Sequence, residues 1–383
     1  MALIGVSAAH RERQQDVCAF VERVVMPEAE RIDREERMPE AIVASAVEKA
    51  SLGSTDAIGL GLLHEALARG CASLCGIVTV QTMVSSAIAR CGTRAQREAW
   101  LPRLTSGGAQ AAFALTEPEA GSDIAAIGAR AVRRGGEYVI SGSKRWITAG
   151  RSADVFLVVA KVGDAPTAFL LERTRPGLSV RPVAGMLGMR GAMLADLDVV
   201  DCVAGDTDVL GPVGGGLSVV GNFALDVGRY CIAWGSVGLG QACLDATLLY
   251  ATSRKLFGSR LGDHPLTRRK LANMVARIEA ARLLCVNAGW LRDQHDPDSV
   301  AETCIAKYVA AETCVRAASS ALQMHGARGC SRETPVERYF RDAQIMQVIE
   351  GSSDVQQLLI AERALAARQS HPLAQDRVSP VFV

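Results

Sequence analysis

Residues 129–148 read ARAVRRGGEYVISGSKRWIT, a β-rich run broken by a reversal at Gly135-Gly136. The same character continues through DVFLVVAK (154–161), TAFLLER (167–173) and LSVRPV (178–183), with Gly163-Asp164 and Pro166 marking a second reversal. On either side of this insert the period is helical. Within RERQQDVCAFVERVVMPEAERID (11–33), Val17, Phe20, Val21, Val24 and Val25 recur at helical spacing, and Leu62, Leu63 and Leu67 continue the pattern. After Gly214-Gly215-Gly216 the helical period returns and holds to about residue 368. In KLANMVARIEAARLLC, Leu271, Met274, Val275 and Ile278 form one core-facing stripe, while Gly235, Gly238 and Gly240 offer another helix a smooth face. The expected order is an N-terminal helical domain (1–110), a middle antiparallel β domain (111–213), a C-terminal helical bundle (214–368) and a surface-draped tail (369–383). One β insert between helical blocks is not a doubly wound dinucleotide fold. The phosphate-cradling motifs G-x-G-x-x-G, between a strand and a helix, and G-x-x-x-x-G-K-[ST] are also absent.

Composition narrows the function. The chain's 42 basic and 41 acidic side chains create no field that would draw nucleic acid or an anionic membrane, so partners must be recognised locally. Hydrophobic residues make up 49% but are interrupted by charge, and no stretch is expected to span a bilayer. MALIGVSAA is too short, and lacks the basic start, for a secretory signal. Eleven cysteines, an odd number scattered through helical segments, fit a reducing cytoplasm better than a disulfide framework. Cys71-x3-Cys75 has no matching pair downstream, so no metal site is expected.

Three segments carry polar groups suited to a ligand. In FALTEPEAGSD (113–123), Thr116 and Ser122 are hydroxyl donors, Gly121 permits close backbone approach, and Pro118 shapes a loop; a polar hairpin turn is the bland alternative. In KRWIT (144–148), Trp146 is either a flat ligand wall or a core tryptophan, with Thr148 beside it. In SRKLFG (253–258), Arg254 suits a pyrophosphate and Phe257 a ring system, unless the segment is an ordinary exposed helix end. Near the C-terminus, RDAQIMQVIEGSSDVQQLL (341–359) sets one carboxylate, Glu350, ahead of a helix whose expected cap is Ser353-x-x-Gln356. Apolar neighbours would raise its pKa and the helix N-terminus would lower it. The position suits a tuned base or an ordinary acidic residue at a helix start.

In order and spacing, TEPEAGSD, RWIT, GMRGA, SRKLFG, KLANMVARIEAARLL and RDAQIMQVIEGSS resemble the signature segments of the acyl-CoA dehydrogenase family of flavoproteins. The resemblance runs over most of the chain. It implies helical, β and four-helix-bundle domains, with FAD between the last two and reaching a neighbouring subunit. It also implies that Glu350 takes an α-proton from an acyl thioester while a β-hydride passes to flavin, the thioester carbonyl being held by a flavin hydroxyl and the Glu350 N–H. Some relatives carry the base on the helix containing 226–229; the corresponding place here is Gly228. By the same resemblance Phe113, Leu115, Thr116, Gly121, Ser122, Trp146, Thr148, Ser352 and Asp354 line the flavin. Arg254, Phe257, Gln323 and Gly326 meet the adenine-diphosphate end across a subunit boundary in a homodimer or dimer of dimers. Ser122, Asp226, Arg229 and Gly351 border the substrate, and an electron-transfer flavoprotein is the expected acceptor. The chain departs from the family pattern at Pro265, at Ala327 and in a short segment near 50–57.

Within the family, ASLCGIVTVQTM, GRYCIAWGSVGLGQACLDA, FGSRLGDH and VIEGSSDVQQLLIAERAL are most similar to dehydrogenases of hydroxymalonyl or methoxymalonyl extender units in polyketide biosynthesis. That similarity implies a short polar acyl group on an acyl carrier protein. A free short-chain CoA ester is the alternative, and a catalytically silent binding protein a third; Glu350 argues against the last.

Overall fold

The computed structural model describes residues 5–53 and 56–369. Six helices come first: α1 (Ala8–Phe20), α2 (Met26–Glu35), α3 (Glu40–Gly53), α4 (Ala57–Gly70), α5 (Ala72–Cys91) and α6 (Arg94–Thr105). Eight strands follow: β1 (Ala111–Ala114), β2 (Arg130–Arg134), β3 (Glu137–Ile147), β4 (Val155–Val162), β5 (Ala165–Glu172), β6 (Leu178–Pro182), β7 (Ala195–Ala204) and β8 (Val209–Leu210). The remainder is α7 (Asn222–Ser253), the small hairpin β9 (Lys255–Leu256) and β10 (Ser259–Arg260), α8 (Pro265–Asp293), α9 (Ser299–His325), α10 (Val336–Met346) and α11 (Ser353–Gln369). The expected α, β, α architecture is therefore present.

Gly135 and Gly136 both have positive φ, the backbone a two-residue hairpin turn requires, and β2 and β3 pair antiparallel across them from Arg134↔Glu137 to Arg130↔Ser141. The sheet order is β6-β7-β3-β2-β4-β5-β8, with β1 beside β4. Most pairs are antiparallel, but β1 and β2 each run parallel to β4, so the sheet is mixed. Buried Gln81 on α5 joins the helical block to the sheet. Its amide donates to the Leu104 and Ala109 carbonyls at 2.8 and 2.9 Å, and its oxygen accepts from Ala111 N–H at 2.7 Å.

Burial follows the expected stripes with informative exceptions. Val17, Phe20, Val21 and Val25 are core, but Val24 is exposed, on a segment (21–25) wound as a π-helix. On α8, Met274 and Ile278 are buried whereas Val275 is 43% exposed. Gly235 and Gly238 do permit close approach: a Cβ on Gly238 would collide with the Glu65 carbonyl, and one on Gly235 would lie 2.8 Å from Cys75 Sγ. Gly240 has ordinary space. The expectation of no membrane-length stretch is corrected by α5, which by length and composition could cross a bilayer. However, 78% of that span is buried within the protein, so its apolarity serves the core. Of the short segment near 50–57, residues 54–55 lie outside the described residues, as do 370–383 of the tail.

Candidate active site

Glu350 stands in the turn between α10 and α11. It has φ +53° and Gly351 has φ +87°, two successive left-handed residues. Glycine adopts this backbone freely, but for glutamate it costs about 1–3 kcal/mol and persists only where surrounding contacts impose it. The helix beyond starts one residue earlier than the expected cap. Ser352, not Ser353, receives the Val355 N–H on its hydroxyl at 3.3 Å and the Gln356 N–H on its carbonyl at 3.0 Å. Gln356 is fully buried without returning to the backbone, and both atoms of its amide, like Ser353 Oγ, lack a partner among the described residues.

The Glu350 carboxyl is enclosed, and its Oε2 accepts no hydrogen bond from the described residues. A Cβ on Gly228 of α7 would collide with that oxygen and lie 2.7 Å from Met83 Sδ of α5. The two positions that could bear a base are thus neighbours in space. Glycine at 228 leaves room for the carboxylate from 350. Burial pushes the Glu350 pKa up from 4.5 to about 7, against the opposing pull of Arg229 and Lys307. The main-chain N–H of Glu350 makes no hydrogen bond among the described residues.

Asp226 and Arg229 sit on the wall of a cleft of about 1170 Å³, together with Arg90, Phe223, Arg292 and Arg363. Arg292 pairs with the Asp226 carboxylate at 2.5 Å and donates to its carbonyl at 3.1 Å, yet Asp226 Oδ1 and Arg229 Nε remain buried without partners among the described residues. Glu350 is not on that wall. It lies behind Arg229, whose Nε is 3.5 Å from where a Cβ on Gly351 would be.

The β-domain residues converge from two loops. Arg145 N–H donates to the Thr116 carbonyl at 2.9 Å, setting Thr116 beside Trp146. Trp146 is 50% exposed with φ +61°, so it is a presented wall rather than a core residue. Phe113 and Leu115 are buried on and just after β1; Thr116, Gly121 and Ser122 are exposed, and a Cβ on Gly121 would meet open space. Lys144, fully buried, braces this loop by donating to the Leu115 carbonyl (3.1 Å) and the Glu117 carboxylate (2.6 Å), which also accepts from Gly128 and Ala129 N–H. A relay then joins the loop after β3 to α10: Ala149 N–H to the Ala192 carbonyl (3.0 Å), Ala192 N–H to the Met189 carbonyl (2.9 Å), and Met189 N–H to Asp342 (2.5 Å). Thr148 precedes the first link, and Asp342 lies one turn before the α10 C-terminus. Open backbone, exposed hydroxyls, a presented indole and orphaned polar atoms fit the oxygens and rings of FAD.

The distal set is not brought to this place. Arg254 ends α7, 25 residues beyond Arg229, which is about 37 Å along a helix. Phe257 is 91% exposed beside His264, and Gln323, near the end of α9, accepts from Lys270 at 2.9 Å, with Gly326 following at positive φ. Pro265 is the first residue of α8, where its missing N–H costs nothing. Ser352 caps α11 and Asp354 is exposed in its first turn. Lys307, Met83, Gln356 and Asp342 were not legible as site residues. The one available signal was a lone lysine in the otherwise apolar run CIAKYVAA.

Comparison with known proteins gives three family matches along the chain: acyl-CoA dehydrogenase N-terminal domain over 7–108, middle domain over 112–202 and C-terminal domain over 214–365. The mitochondrial short-chain specific acyl-CoA dehydrogenase of Homo sapiens is 32% identical, over 96% of this chain and 92% of its own. Butyryl-CoA dehydrogenase from Megasphaera elsdenii superposes with a TM-score of 0.90 at 28% identity, over 94% of this chain and 98% of that one. FkbI, for biosynthesis of the methoxymalonyl extender unit of a polyketide immunosuppressant, superposes with a TM-score of 0.84 at 30% identity, over 92% and 99%.

Proposed function

The chain belongs to the acyl-CoA dehydrogenase family and is an FAD-dependent oxidoreductase, and from that premise we propose that it α,β-dehydrogenates a short-chain acyl-CoA ester with Glu350 as the base. The observation that carries the reading is the enclosed Glu350 carboxyl, with one unpartnered oxygen and with glycine at the alternative base position.

Thr116, Ser122, Trp146 and Thr148 would hold FAD, which when bound would supply the acceptor for the β-hydride. The protein supplies the rest. Glu350 takes the α-proton, and its raised pKa makes it a stronger base than an ordinary carboxylate at neutral pH. Its uncommitted N–H is available to the thioester carbonyl, where negative charge develops as the proton leaves. Arg229 places a guanidinium near that charge, and exclusion of water strengthens the interaction. Asp226 and Arg229 lead from the cleft towards the base.

The carrier-protein substrate expected from sequence becomes the second reading. The CoA reading is supported by identity to a short-chain specific acyl-CoA dehydrogenase over nearly the whole chain. The carrier reading is supported by the resemblance to FkbI. A homo-oligomer and an electron-transfer flavoprotein acceptor complete the proposal. The former is supported by the length of α7 between Arg229 and Arg254 and by the uncovered Val275, Leu283 and Trp290 on α8.

One experiment separates these readings. Purified FAD-loaded protein is mixed anaerobically with short-chain acyl groups, either on CoA or on a carrier protein, and flavin bleaching and acyl mass are followed. Bleaching with the CoA esters is expected, and Glu350→Gln should stay yellow and not bleach. Turnover confined to carrier-bound acyl groups selects the second reading; unchanged bleaching in the variant removes Glu350 as the base.

A further inference from the structure

Lys307, on α9, is wholly buried, and its ammonium donates a 2.6 Å hydrogen bond to the Gly351 carbonyl. Burying an ammonium is costly unless its charge and its donors are met. Yet no carboxylate lies within ion-pair distance of Lys307 among the described residues. Lys307 takes the main chain next to Glu350 and leaves Glu350 Oε2 without a partner among the described residues. We infer that Lys307 is a positioning residue for the base: it pins the Gly351 carbonyl, so holding the left-handed Glu350–Gly351 turn, and its charge favours the ionised carboxylate without occupying it.

The surroundings agree. Burial brings Lys307 from 10.5 down to about 8, while the Glu350 charge acts to raise it and that of Arg229 to lower it. Conversely, Arg229 and Lys307 both oppose the upward push of burial on Glu350. The other titratable groups facing this place are Asp226 and the buried Cys231 on α7, Arg292 on α8, Cys304 on α9 itself and Arg363 on α11; burial holds the Cys231 thiol neutral. Arg292 is committed to Asp226, and Arg363 to Asp298 at 2.8 Å, so neither replaces Lys307.

The inference rests on Glu350 as base, and the test keeps the two claims apart. Lys307→Gln retains a donor without the charge; Lys307→Met removes both. Each variant is assayed as FAD-loaded protein for flavin content and for the pH profile of anaerobic bleaching by a short-chain acyl-CoA. In Lys307→Gln the ascending limb should move up by about one pH unit, making bleaching about tenfold slower on that limb. In Lys307→Met the same displacement should be joined by a plateau lower by about tenfold, because the turn is no longer pinned. If both variants keep the wild-type midpoint and plateau while Glu350→Gln is inactive, the positioning role is wrong and the base assignment stands. If Glu350→Gln bleaches normally, the base assignment itself is wrong. Failure of both lysine variants to accumulate as FAD-loaded protein, with Glu350→Gln stable, makes Lys307 purely structural and overturns the inference.

Discussion

At Glu350 two local influences compete, and burial decides between them. Helix α11 begins just beyond, but enclosure against Gly228 and Met83 dominates and the pKa rises to about 7. The sign of the stability effect follows. The folded state binds this proton more tightly than the unfolded chain, so the group's stabilising contribution is complete below pH 4.5 and is lost as pH rises to about 7. Glu350→Gln escapes that loss. Its stability advantage over wild type should grow through this window and level off above it, at no more than about 3 kcal/mol, read from urea midpoints. A difference that does not vary with pH would contradict the burial argument. Gly228→Ala tests the geometry, because the added methyl falls on Glu350 Oε2. It should cost about 1–3 kcal/mol of stability and slow anaerobic bleaching by at least about tenfold. A neutral outcome would mean that the carboxylate can lie elsewhere and still react.

Among the elements, β3 and the loop after β1 work as one unit. Lys144 crosses from β3 to the Leu115 carbonyl and to Glu117, whose carboxylate collects two further N–H groups. Breaking such a buried pair from one side typically costs about 3–5 kcal/mol. Lys144→Met should therefore lower the urea midpoint markedly and reduce bound FAD per chain, because Thr116, Gly121 and Ser122 lose their brace. Normal flavin content in that variant would show that the loop keeps its shape unaided. Much of this unit was legible in TEPEAGSD and KRWIT, with their hydroxyls, glycine and tryptophan. The Lys144–Glu117 pair was not, since its members are 27 positions apart and nothing local signals that both are buried.

Across the whole molecule, the length of α7 separates two groups of expected site residues. It carries Asp226, Gly228 and Arg229 near one end and delivers Arg254 at the other, about 37 Å beyond Arg229. Under the proposed homo-oligomer, a second copy would supply the distal set to the cofactor of the first. The protein should accordingly run as a dimer or larger in mass photometry, and Arg254→Ala or Phe257→Ala should lose FAD on dilution more readily than wild type. A monomer that retains FAD would refute this arrangement.

Residue order alone was enough for the helix, sheet, helix architecture and for the hairpin at Gly135-Gly136, because periodicity and turn chemistry are local; Glu350 became the candidate base only through the resemblance of its segment to a family motif. The parallel pairing of β1 and β2 with β4, the burial of the membrane-length helix α5, and the meeting of Gly228, Lys307 and Glu350 emerged from packing. Each depends on groups far apart in the chain excluding water from one another, and a one-dimensional pattern carries no record of which groups those are.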